Sequence, residues 1–194
     1  MVQQKNRGTI QDCVLENGRF KYCYFAFGAL VHGFRFCRPV ICVDGSFLKS
    51  KFGGQLLVAV ALDANSQLFP IAFAIVDSEN NSSWTYFMQK LRETIGSVPE
   101  LAIVSDRHAS IANALRLVFP DAHHGACYHH ITMNVVAKFK TDACHKEIHA
   151  AAYAYRKSEF LRCFANIRTM NPAIAGYLEG IGIEKWARSH FPGF

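Results

Sequence analysis

The chain has 194 residues, 51% of them hydrophobic and 13% aromatic, which supplies a core for one domain with or without an appended subdomain and excludes a largely disordered chain. Twenty-one basic side chains against 15 acidic ones leave a formal charge of +6, which suits a polyanionic partner without demanding one. Seven cysteines, an odd number with no Cys-x-x-Cys pair, exclude a secreted disulfide framework and fit reduced thiols in an intracellular setting. The segment Met1–Gly8 lacks the apolar core of a signal peptide, and the longest apolar run, Leu56–Leu62, is too short to span a bilayer.

In chain order, residues 1–17 are polar and expected to be loose, and Arg19–Tyr24 has the composition of a strand. Phe27, Leu30, Val31 and Phe34 recur at helical spacing and predict a short helix ending near Gly33. Three strands follow: Val40–Asp44, Leu56–Leu62 and Leu68–Val76. Leu56–Leu62 is apolar throughout, so burial on both faces is expected. The links between the three are short, and the second, Asp63–Gln67, has hairpin-turn composition, so the strands are expected to be antiparallel neighbours. After a polar loop, Ser82 or Ser83 is placed to cap a helix whose apolar stripe is Trp84, Phe87, Met88, Leu91 and Ile95, with Gly96 as its stop. Leu101–Val104 predicts a fourth strand, Ile111, Leu115 and Val118 a helix halted by Pro120, and Ala122–Tyr128 a weaker fifth strand. Ile131, Val135 and Phe139 open another helix, and the remainder to Glu184 is helical in pattern, with Pro172 starting a short helix.

The resulting order, β-β-β-α-β-α-β-α and then helices, is that of a ribonuclease H-like domain. The expected fold is α/β: a mixed five-stranded sheet with flanking helices and an all-helical insertion after the fifth strand. The expected division is a loose segment over 1–17, a core over 18–140 and the helical insertion over 141–194. The fourth strand should lie beside the first, so that Asp44 and Asp106 emerge at adjacent strand ends, where ligand sites of α/β sheets favour lying.

Asp44 ends one apolar run and Asp106 follows another, Leu101–Ser105. A buried carboxylate is costly without compensation, so the pair either holds a cation or accepts local backbone N–H groups. Cys127-Tyr-His-His130, close to His123 and His124, has the residue types of half a zinc site; a cysteine buried in a strand with flanking histidines explains it as well. His108 either approaches a phosphate or simply begins a helix, and Asp77 and Glu79 are expected to complement the following helix's dipole. Lys49, Lys51, Arg107, Lys138 and Lys140 are candidate phosphate contacts or a solvated basic face. Trp84 is expected in the core, and Trp186 either packs on the last helix or lies near DNA ends.

The stretch Cys37–Gly54, with Asp44 inside it, resembles the start of the plant Mutator-like element (MULE) transposase domain. Asp77–Trp84, Ser105–His108, the Cys-x-x-His segment Phe119–His130 and Lys185–Gly193 resemble its later signatures in the same order. The resemblance implies a DDE transposase on a ribonuclease H-like fold, using Mg²⁺ or Mn²⁺ held by carboxylates to nick DNA and transfer strands. It implies Asp44 and Asp106 as catalytic and metal-binding acids, with Cys127, His130 and His108 as second-tier candidates. Its implied partner is DNA at transposon ends, in the nucleus and without a membrane; it leaves room for a homo-oligomer.

One departure matters. The family's third acid, a glutamate, follows the segment resembled by Lys185–Gly193, and none of Glu147, Glu159, Glu179 or Glu184 matches it. The expectation is a site with two of its three acids, weak metal binding and little turnover. The alternative is a domesticated DNA- or protein-binding module with a transcriptional role, and a third reading is a nuclease of the same fold that recruits another acid.

Overall fold

The structure, a computed structural model, describes residues 6–49, 51 and 53–192. The chain divides into two compact units, Met1–Ala122 and His123–Phe194. Each has its own apolar core.

The first unit is mixed α/β. Its strands are β1 (Ile10–Glu16), β2 (Arg19–Ala26), β3 (Val40–Phe47), β4 (Gln55–Leu62), β5 (Leu68–Val76) and β6 (Ala102–Ser105). Its helices are α1 (Gly28–Gly33), α2 (Asn81–Ile95) and α3 (Ala109–Val118). The strands lie in the order β1-β2-β5-β4-β3-β6. Neighbours are antiparallel except β3 and β6, which are parallel. The three strands expected to be antiparallel neighbours are so, and the fourth predicted strand does lie beside the first.

Strand periodicity builds the core. Tyr22, Tyr24, Ile41, Val43, Leu57, Ala59, Ala74 and Val76 share one face and are buried under Trp84, Phe87, Met88 and Leu91 of α2 and Ile111 and Leu115 of α3. The opposite face carries Phe25, Leu56, Val58, Val60, Phe73 and Ile75, which are half-buried. β4 therefore alternates buried and half-buried positions and is not buried on both faces as its apolar sequence led us to expect. Apolar composition permits two-sided burial, but only covering elements supply it. Pro70 of β5 stands opposite Val60, where the ladder shifts register, because proline has no N–H to give.

Turn chemistry sets the hairpins. Asn17 and Gly18 both have positive φ (52° and 74°), the pattern of a type I′ turn that suits a tight β1–β2 connection. Asp63 Oδ1 accepts from the N–H groups of Asn65 and Gln67, both at 2.8 Å, and closes the β4–β5 turn. Gly54, at φ 90°, lies where a Cβ would stand 2.8 Å from the Val76 carbonyl oxygen, so only glycine fits there.

The segment expected to be loose over 1–17 contains β1. Its inward face, Ile10, Asp12 and Val14, carries an acid in mid-strand, which hides the strand from a pattern reading. Asp12 is accommodated because the Tyr86 hydroxyl donates to its Oδ2 at 3.1 Å and Lys90 stands 3.7 Å away. The strand expected over Arg19–Tyr24 is β2; with it and β1 added to the expected five-stranded sheet, the described residues hold seven strands. The cap of α2 is Asn80 rather than Ser82 or Ser83. Its Oδ1 accepts from the N–H groups of Ser82 and Ser83, and Ser83 Oγ accepts from the Asn80 N–H at 3.0 Å, which completes a capping box.

The second unit opens with β7 (His123–Ala126) and continues with α4 (Tyr128–Phe139), α5 (His145–Tyr153), α6 (Lys157–Met170) and α7 (Pro172–Ile181). Pro172 takes the first turn of α7, capped by Asn171. Ile131 and Val135 of α4 pack with Ile148, Phe160, Phe164, Ile174, Leu178 and Trp186. The division therefore falls after Ala122 and not near residue 140: the apolar stripe of α4 belongs to the helical core. No helix among the described residues is long and apolar enough to cross a membrane.

Candidate functional site

β3 and β6 pair through Val40 with Ala102, Ile41 with Ile103 and Cys42 with Val104. Asp44 lies two residues beyond Cys42, and Asp106 two residues beyond Val104. Side chains alternate along a strand, so Asp44 continues the face of β3 that carries Cys42, and Asp106 lies one residue past the end of β6. Neighbouring strands run about 4.8 Å apart, so Asp44 within β3 and Asp106 just past β6 lie on adjacent parallel strands. Asp44 is exposed and Asp106 half-buried.

Each acid is also oriented by backbone. The Gly45 N–H donates to Asp44 Oδ1 at 2.9 Å, and the His108 N–H donates to Asp106 Oδ1 at 2.9 Å. The local-hydrogen-bond reading is thus real, and it is compatible with cation binding because a carboxylate has several acceptor positions. His108 occupies the N-cap position of α3, and its exposed side chain makes no capping bond. Of its two readings, the helix start is the one observed. Lys49 and Lys51 follow β3, and exposed Arg107 follows Asp106, so both acid-bearing strand ends lead into basic residues.

Glu79 is the residue that sequence reasoning misplaced. It does not serve the dipole of α2, whose first turn holds no acid. Its Oε1 instead accepts from Trp84 Nε1 at 3.0 Å. A Cβ at Gly45 would lie 3.5 Å from that same oxygen and 3.2 Å from Leu57 Cδ2. Glu79 and Trp84 therefore pack against the β3 backbone at Gly45, the residue after Asp44. The signal was present as an acid five residues before a tryptophan, a spacing with no fixed meaning. Asp77 Oδ1 accepts from the Ser78 N–H, again a local turn contact.

Cys127 and His130 lie in the second unit. Cys127 is half-buried at the N-cap of α4, one residue beyond β7, rather than within a strand. His130 Nδ1 is buried without a hydrogen-bond partner, and its ring meets that of His129 edge-on at 5.6 Å. Among the described residues, no group of three or more His, Cys, Asp or Glu side chains is arranged to hold a metal. Trp84 is fully buried as expected, and Trp186 packs against Phe160 at 5.8 Å while its Nε1 donates to the Leu178 carbonyl.

The first unit is thus a mixed α/β domain whose adjacent parallel strands carry one acid within β3, Asp44, and one just past the end of β6, Asp106. Residues 40–134 match the family model of the MULE transposase domain. The matched stretch starts with the first residue of β3 and ends inside α4, so it contains Asp44, Asp106, Cys127 and His130. It supports a transposase-related function. No curated protein matches the chain.

Proposed function

We propose that the chain is a transposase-derived domain of plant Mutator-like descent, with a ribonuclease H-like core and DDE-type chemistry directed at DNA. The observation that carries this reading is register: the parallel β3–β6 pairing leaves Asp44 and Asp106 at the same offset beyond their last paired residues. Two carboxylates are hard oxygen donors of the kind Mg²⁺ and Mn²⁺ prefer, so the residues present fit the ion. When bound, such an ion lowers the pKa of water and stabilises the attacking and leaving oxygens of a phosphodiester. The chain's own part is positional. Backbone N–H groups of Gly45 and His108 fix the two carboxylates, and Lys49, Lys51 and Arg107 stand beside the strand ends where phosphates would approach. A DNA substrate implies work in the nucleus.

Two carboxylates hold a divalent ion loosely. Calorimetric titration of the 194-residue chain with Mn²⁺ is therefore expected to show weak binding that drops by about tenfold or more in both Asp44→Asn and Asp106→Asn. Two tight sites, or weak binding indifferent to both substitutions, would overturn the assignment. A nicking assay on duplex DNA carrying terminal repeats is the functional arm: any Mg²⁺-dependent cleavage must vanish in Asp44→Asn.

A second reading is a domesticated DNA- or protein-binding module with a transcriptional role and no cleavage, supported by the formal charge of +6, which suits a polyanionic partner. It gains if salt-dependent DNA binding is equal in the parent chain and Asp44→Asn while no cleavage occurs.

A further inference from the structure

All seven cysteines are thiols in the structure, and two of them meet. β1 and β2 form a hairpin in which Cys13 stands directly opposite Cys23. Their sulfur atoms are 2.7 Å apart. That is within about 1 Å of the roughly 2.05 Å length of a disulfide bond. Directly opposed residues of antiparallel strands have Cα atoms about 4.5–5.5 Å apart, inside the range of about 4.4–6.8 Å that disulfides span. The backbone is therefore already in place for the bond.

We propose that Cys13 and Cys23 form a reversible cross-strand disulfide that staples the edge strand β1 to the sheet, with a low-molecular-weight disulfide such as oxidised glutathione as oxidant. Exposure assigns the order of events, because Cys13 is exposed and Cys23 half-buried. The Cys13 thiolate attacks one sulfur of oxidised glutathione. The glutathione S–S bond breaks, one glutathione leaves as thiolate and takes up a proton, and Cys13 is left in a mixed disulfide. Cys23 then gives its proton to solvent, and its sulfur attacks Cys13 Sγ and expels the second glutathione. Two protein thiols are oxidised to one disulfide, and one glutathione disulfide is reduced to two thiols. Burial, and then the contact with Cys13, push the Cys23 thiol up to about 12, which leaves the first attack to the exposed Cys13.

The structural consequence is local. In the thiol form β1 is an edge strand held by its ladder to β2 and by the Tyr86 and Lys90 contacts of Asp12. The bond would close the short segment between Cys13 and Cys23 around the Asn17–Gly18 turn and remove the freedom of β1 to peel away.

The test is thiol mapping of the full chain. The protein is equilibrated in oxidised and reduced glutathione at increasing ratio, alkylated, digested and weighed. The expected result is that alkylated thiols fall from seven to five, with one peptide pair joined through Cys13 and Cys23 and fully released by dithiothreitol. Cys23→Ser should retain glutathione on Cys13, and Cys13→Ser should give no cross-link. In the oxidised chain, amide exchange of β1 should slow on the order of tenfold or more. Seven alkylated thiols at every ratio, a cross-link to any other cysteine, or a covalent dimer through Cys13 would overturn the proposal, as would unchanged exchange in β1.

Discussion

Glu79 reaches from the loop before α2 to the indole of Trp84, a fully buried side chain whose N–H has this carboxylate as acceptor. A buried donor left unmet costs more than the hydrogen bond itself was worth. Glu79→Ala is therefore expected to lose about 1–3 kcal/mol in urea unfolding, with Glu79→Gln recovering most of the loss. A null effect of the alanine variant would mean that water replaces the carboxylate. His190 provides a pH test at the same scale. Its ring packs edge-on against Phe160 at 4.6 Å, and burial, aided by Lys157, lowers its pKa from the ordinary value. A folded-state pKa below the unfolded one means that the unfolded chain takes up the proton first. The stabilising contribution is full above the unfolded value of about 6.5 and is lost as pH falls below it. Urea midpoints at pH 7.5 and pH 5.5 should show a smaller acid-side loss in His190→Gln than in the parent chain.

At the scale of elements, α2 begins where two side chains satisfy each other's backbone. Asn80 accepts from two N–H groups of the first turn and Ser83 returns the bond. Asn80→Ala should cost about 1 kcal/mol, measured by thermal or urea unfolding, while Asn80→Asp should stay close to the parent because it keeps the acceptor. The sheet shows a similar dependence on partners. β4 reads as uniformly apolar, yet its residues alternate in burial because α2 and α3 pack on the face that bears Leu57 and Ala59. Periodicity in composition could not reveal this, since every residue of β4 after Gln55 is apolar. The cap assignment failed for a related reason. Asn80, Ser82 and Ser83 are all competent caps, and the helix start is chosen by where Trp84, Phe87 and Met88 meet the sheet.

For the molecule as a whole, two separate cores follow from two separate patterns. The alternating faces of six strands gather one around Trp84 and Phe87, and the helical stripes after His123 gather the other around Phe160 and Trp186. Phe160→Ala should cost about 3–5 kcal/mol because the residue is fully buried and its ring is shared by Phe164, Trp186 and His190. The loss should be read as reduced amide-exchange protection in α4 to α7, and intact protection there would contradict the packing described.

By itself, the sequence determined the mixed α/β character, the strands that carry Asp44 and precede Asp106, the buried stripe of α2 and the start of α7 at Pro172, although β3 runs on to Phe47 rather than ending at Asp44, because Gly45 to Phe47 still pair with β4. These are local matters: periodicity, β-branched runs, glycine stops and proline starts are written in adjacent residues. The tertiary structure alone decided that β1 exists and faces β2, that Cys13 meets Cys23, that Glu79 serves Trp84 rather than a helix end, and that α4 joins the helical core. Each of these depends on a partner distant in sequence or on competition between equally suitable neighbours. An acid in mid-strand is acceptable only because Tyr86 and Lys90 come to meet Asp12, and no local pattern announces that they will.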